Sequence, residues 1–229
     1  MIKRVRVNVE TFDFAGFEQL CTSDYAPAAL KPQKRLEDLH RHCEALLARF
    51  QPERVEVLDC RAGCGTCCVV NVAVLIPEAL AIVEYVESHP LRFARLETDL
   101  DRIWHQVRGV ADDERVCMRV SCVFLDEAGS CSIYPVRPLL CRGVTSTSAE
   151  DCRRSFNANL FNEKISVRMS LFQRELYDRA FVGLSEGLEA CQRDGRSFEM
   201  TGIIRHLLRK PQRRTAVQSG YRLAWEELA

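Results

Sequence analysis

The sequence predicts a mostly α-helical fold with a small irregular and β, cysteine-rich centre. Two observations lead there. Apolar residues recur at three- and four-residue spacing toward both ends of the chain, and nine of the twelve cysteines fall between Cys60 and Cys152. That middle stretch is broken by Gly, Pro and short β-branched runs, which interrupt helical periodicity. The 229 residues show no repeat and no low-complexity linker. They read as one domain, 1–229, with a cysteine-cluster core at 55–156 and helical flanks at 1–54 and 157–229.

Residues 33–50, QKRLEDLHRHCEALLARF, predict an amphipathic helix with Leu36, Leu39, Cys43, Leu46, Leu47 and Phe50 on one face. RVEVLDC alternates as a short strand that delivers the chain to Cys60, and the β-branched VVNVAVLI predicts a second strand. Pro77 then opens a helix, PEALAIVEYVESH, with Glu78 favourably placed in its first turn. Residues 91–111 predict another helix, with Leu96, Leu100, Ile103 and Val107 on one side. CVFLDEAGSCSIY predicts a hairpin around Gly129, and PVRPLLCRG an irregular segment. Helices are expected again over 166–193 and 198–209, with RKPQRRT after them as a solvated loop.

The formal net charge is zero, with 28% charged and 47% hydrophobic residues, so no global field points to nucleic acid or to a membrane. No apolar run reaches the roughly 18 residues of a membrane span. The basic residues of MIKRVRVNVETF are followed by no apolar leader core. The expectation is a cytosolic protein whose thiols stay reduced. Four cysteines within the nine residues CRAGCGTCC then belong to a metal or cluster site rather than to disulfides.

The thiolate is the metal-binding form of cysteine. Cys64-Gly65-Thr66-Cys67 is a C-x-x-C turn that aims two sulfurs at one point, with Gly65 free to take the positive φ of a tight knuckle. Cys60 lies within reach. Cys68 is expected to diverge from its neighbour, toward a second metal or the core. Cys117, Cys122, Cys131, Cys141 and Cys152 form a second group. A hairpin pair plus a distant C-x-x-C builds a Cys₄ zinc site, although the thiols here outnumber the needs of one zinc. Arg61, Arg137, Arg142, Arg153 and Arg154 lie near these cysteines and are expected to offset thiolate charge. Pro138 restricts Arg137 to an extended conformation. His40 and Cys43, three apart on one helix, read as an exposed histidine and a buried thiol. Cys21 and Cys191 read as ordinary buried thiols. No Ser/His/Asp set or Gly-rich phosphate loop appears, so no catalytic residue is named.

CRAGCGTCC followed by CVFLDEAGSCSIYPVRPLLCRG resembles the bacterial YkgJ-type cysteine-cluster family, a domain described as chelating zinc or iron. Cys67, Cys68, Cys122, Phe124, Leu125, Cys131, Ile133, Tyr134, Arg137, Pro138, Cys141 and Arg142 match its pattern. Cys152 matches a further cysteine that follows a Ser/Thr-rich stretch. The first gap, Cys60 to Cys64, is longer than the pattern's, and Cys117 has no place in it. The resemblance implies metal binding through Cys60, Cys64, Cys67, Cys68, Cys122, Cys131, Cys141 and Cys152, with zinc, iron or an iron–sulfur cluster as cofactor. The alternative is an iron–sulfur enzyme. Flagellin lysine methylases have a similar cluster, and Cys60-x₃-Cys64-x₂-Cys67 has the spacing of the radical S-adenosylmethionine loop, with Thr66 where an aromatic is usual. The surplus of thiols predicts a saturated, solvent-shielded site, with a metal ion as partner and neither nucleic acid nor membrane.

Overall fold

The computed structural model describes residues 12–25, 32–52, 57–161 and 163–228. Helix α1 (Phe14–Leu20) begins on Asp13, whose carboxylate accepts the Gly16 N–H at 2.9 Å. It runs into a π-helical turn, Cys21–Tyr25. Helix α2 (Pro32–Phe50) buries Leu36, Leu39, Cys43 and Leu47, as its periodicity predicts. After the cysteine-rich turns come strand β1 (Ala73–Val74), α3 (Ile76–Glu87), α4 (Leu96–Val107) and α5 (Asp112–Met118). The second cysteine-rich stretch leads through a 3₁₀ turn, Tyr134–Val136, into α6 (Leu139–Gly143) and α7 (Ala149–Asn159). Helix α8 (Leu171–Ala190), strand β2 (Phe198–Glu199), α9 (Met200–Arg209), α10 (Pro211–Gln218) and a 3₁₀ turn, Trp225–Leu228, complete the described chain.

The helices pack in two groups. Helix α8 lies against α1, the π turn, α2 and α6, while α9 lies against α3, α4 and α10. The α2–α3 contact joins the groups. One buried apolar cluster runs through both, and Phe124, Ile133, Val136 and Leu139 enter it from the cysteine-rich stretch. The centre therefore borrows its core from the flanks. The only sheet among the described residues is antiparallel, Ala73 opposite Glu199 and Val74 opposite Phe198. It ties the start of α3 to the start of α9.

Several expectations are corrected. The strand expected at 54–60 falls partly on residues 54–56, outside those described, and Leu58–Cys60 form no strand. The strand expected at 69–76 shrinks to two residues. The helix expected over 91–111 is confined to 96–107, because His89–Arg95 form turns and Gly109 at φ +73° ends the run. PVRPLLCRG is not irregular throughout: Pro138 sets the extended entry (φ −56°, ψ 151°) from which α6 starts. The helix expected from 166 starts at Leu171, where the Ser170 hydroxyl accepts the Gln173 N–H. RKPQRRT is not a solvated loop. Pro211 occupies the first turn of α10, and Arg213 and Arg214 pair with Glu227 and Glu87. Those partners are far away in sequence, which hides the helix from local reading.

Glu78 is fully buried at the start of α3. Its Oε2 accepts the Leu75 N–H at 2.9 Å, and its Oε1 accepts the Leu139 N–H at 2.8 Å. One carboxyl group thus satisfies free N–H donors at the N-termini of α3 and α6. Burial pushes its pKa up to about 7, against the opposing pull of the two N–H groups and Arg142. A raised folded pKa means that its stabilising contribution is complete below about pH 4.5 and is lost as pH rises through about 7. Glu78→Gln keeps one oxygen and turns an NH₂ toward an N–H. The variant should be less stable than wild type by about 1–3 kcal/mol at pH 5. The gap should narrow at pH 8. Urea unfolding at the two pH values checks this; a gap independent of pH would refute the protonation argument.

Candidate metal centre

Two tight arms of backbone bring the cysteines together. In the first arm the Cys64 N–H donates to the Arg61 carbonyl and the Cys68 N–H to the Gly65 carbonyl, both at 3.0 Å. The residue at positive φ is Gly63 (+86°), not Gly65. Gly65 is needed for space instead: a Cβ there would lie 2.8 Å from Leu125 Cδ2 of the second arm. In that arm Asp126 Oδ1 accepts the N–H groups of Ala128 and Ser130, closing a turn with Gly129 at φ +74°. A Cβ on Gly129 would sit 2.8 Å from the Gly63 carbonyl oxygen. The arms thus touch backbone to backbone at their tips. A hydrogen bond from the Cys122 N–H to the Cys68 carbonyl, 2.7 Å, joins them at their base.

The expected hairpin reduces to a single bridge, Leu125 with Cys131. The Asp126 N–H donates to the Ser130 carbonyl and the Ser132 N–H to the Phe124 carbonyl on either side of that bridge. The Phe124 and Ile133 N–H groups lie where they favour the ionised forms of Cys122 and Cys131. Cys60 Sγ accepts the Ser146 N–H at 3.1 Å. Asp59 fixes the same region through its N–H to Ser146 and its carboxylate to the Ala149 N–H. Ser148 caps the following helix α7, which carries Cys152. These N–H groups and Ser146 were not legible as site residues, though a bulky apolar residue two after each of Cys122 and Cys131 is the signal left by the first two.

Cys68 stays beside Cys67: both line the same two cavities, and each perturbs the other's ionisation. Cys67 is lowered by its neighbour Cys68 and by Arg137, and Cys68 is raised by Cys67 and by burial. Burial pushes Cys122 and Cys141 up to about 12. Arg137 is the charge at the centre. Burial opposes its ionised form, but Cys141, Cys67, Cys131 and Cys68 favour it. Among the described residues, the groups that favour its charge are all thiols and no carboxylate is among them.

All eight predicted cysteines line two adjoining cavities. The smaller, about 140 Å³, is lined by Cys60, Cys64, Cys67, Cys68, Cys131 and Cys152. The larger, about 370 Å³, is lined by Cys67, Cys68, Cys122, Cys131, Cys141 and Cys152. Arg137 borders both. The thiols share a region but not a point: among the described residues, no three His, Cys, Asp or Glu side chains stand ready to hold a metal ion. Nor is the region sealed, because Cys60 is exposed and the other seven are half-buried.

Other candidates lie elsewhere. Arg142 does not donate to sulfur; its guanidinium donates to the carbonyls of Arg137, Tyr134 and Pro135 and so fixes the turn before α6. Arg61 and Arg153 pair with Asp59 and Glu150, and Arg154 is exposed. His40 is buried, not exposed, with Nε2 lacking a partner among the described residues and its pKa lowered to about 3 by burial. Cys21 and Cys43 are core thiols, whereas Cys191 is exposed rather than buried. Cys117 contacts the Asn159 carbonyl on the outer face of α5.

Residues 59–163 match a family model, CxxCxxCC, described as "Putative zinc- or iron-chelating domain". The match is to the cysteine-cluster family. It spans both arms and all eight cysteines of the cavities. No curated protein and no solved structure matches the chain. No helix among the described residues is long and apolar enough to cross a membrane.

The tip contact makes a graded prediction. Gly109 and Gly129 both have φ near +74°, but a Cβ at Gly109 meets nothing within 4 Å. Gly109→Ala should therefore lose only the conformational term, about 1 kcal/mol. Gly129→Ala adds a backbone collision and should lose about 2–3 kcal/mol. Equal losses in chemical denaturation would show that the arms do not depend on their contact.

Proposed function

We propose that the chain binds zinc or iron as thiolate complexes of the cysteine cluster. Cys64, Cys67, Cys68, Cys122, Cys131 and Cys141 form its heart, with Cys60 and Cys152 at the rim. The observation that carries this reading is the lining of two adjoining cavities by all eight cysteines of a family-matched segment. The donor chemistry fits. Both metals accept tetrahedral thiolates. The N–H groups aimed at Cys60, Cys122 and Cys131 favour the ionised sulfur, and the unpaired Arg137 offsets its charge.

Thiols held protonated by burial give up protons on metal binding, so affinity should rise with pH. The radical S-adenosylmethionine reading finds no support: its barrel needs repeated strand–helix units, and the only sheet among the described residues has two strands of two residues.

Anaerobic purification with metal analysis and an absorption spectrum tests the proposal. Cys64→Ser and Cys131→Ser should each lower bound metal and thermal stability together. Cys191→Ser, on an exposed thiol outside the cavities, should change neither. Colourless protein with stoichiometric zinc identifies an ion, and brown protein with inorganic sulfide a cluster. Equal metal loss in all three variants, or no bound metal in wild type, would defeat the reading.

A further inference from the structure

The larger cavity is more than the back of a thiol cluster. Its volume, about 370 Å³, falls in the range of small-molecule sites and holds roughly a dozen water-sized groups. Its walls away from sulfur are apolar and come from separate parts of the chain: Val72 beside β1, Phe124 and Ile133 of the second arm, Val167 before α8, and Met200 at the start of α9. Phe124, Ile133 and Met200 are buried behind the wall and fix it to the core, while Val72, Phe156, Val167 and Met169 present its accessible apolar surface. An apolar space of this size, bordered by one cation that has no carboxylate partner among the described residues, selects a particular kind of molecule.

We infer that this cavity binds a small organic carboxylate, its hydrocarbon body against Val72, Phe156, Val167 and Met169 and its carboxylate on Arg137. Charge complementarity decides the occupant. Arg137 borders the cavity and, among the described residues, has no carboxylate partner. Arg174, which also borders it, is already paired with Asp178 at 2.6 Å. A guanidinium carries five N–H donors on a planar fork, so one edge can face the sulfurs while another takes a carboxylate in bidentate fashion. Hydrocarbon contact supplies affinity, and the ion pair in a low-dielectric wall supplies selection against neutral analogues. This site does not require metal, and it goes beyond the chelation proposed above.

The probes are octanoate and octanol, titrated by calorimetry into the reduced, metal-free full chain, with metal uptake measured separately on each variant. Wild type should bind octanoate at least about ten-fold more tightly than octanol. Arg137→Gln should erase that preference while octanol binding persists. Val167→Trp, placed on the irregular segment 163–170, should weaken both probes about ten-fold and leave metal content at the wild-type level. Near-native circular dichroism qualifies each variant. Equal binding of the two probes by wild type, or a preference that survives Arg137→Gln, would overturn the proposal; so would binding indifferent to Val167→Trp. Since the titrations use metal-free protein, failure of the chelation reading would leave their outcome unaffected.

Discussion

A single buried carboxyl group organises the cysteine-rich half of the molecule. Glu78 accepts one N–H from Leu75, just past β1, and one from Leu139, at the start of the helix that carries Cys141. The first cysteine arm feeds β1, and the second arm ends in α6. Glu78 therefore fixes the two arms relative to one another from beneath, where no water reaches. An unpaired N–H at either helix end would be buried without compensation, so neither helix can shift alone. Arg142 completes the arrangement by holding the preceding turn through three carbonyls.

Above that anchor, the centre is held by short-range turns rather than by a β-ladder. Two short arms of about ten residues cannot bury a core of their own. Their backbone donors go to nearby carbonyls, and their apolar side chains go to the helical flanks. The arrangement is polar at the cavity side and apolar beneath. It leaves thiols that are half-buried, mostly neutral and set about one guanidinium. That combination suits a group whose ionisation is driven by what binds it.

Much of this was legible in the chain itself. The faces of α2 and α4 followed from the spacing of Leu36, Leu39 and Leu47, and of Leu96, Leu100, Ile103 and Val107, because a helix repeats every 3.6 residues whatever surrounds it. Pro77 marked the start of α3, since a fixed φ and a missing donor act locally. The eight cavity cysteines were legible as a set from residue type and spacing, as was the exclusion of Cys21 and Cys43 from it.

What escaped depends on partners distant in the chain. Gly65 was expected to serve φ and serves space, because Leu125 packs against it from sixty residues away. Cys68 was expected to leave Cys67 and instead lines the same two cavities with it. Helix α10 is held by Glu87 and Glu227, and His40 is buried by neighbours its own helix does not reveal. The sequence by itself determined that α2, α3, α4, α8 and α9 are helical and which cysteines share one stretch of chain, because periodicity, proline geometry and cysteine spacing are local properties. The tertiary structure alone decided how the arms meet, where Glu78 and Arg137 point and that an apolar cavity lies beside the sulfurs, because those facts depend on contacts that exist only after the chain has folded.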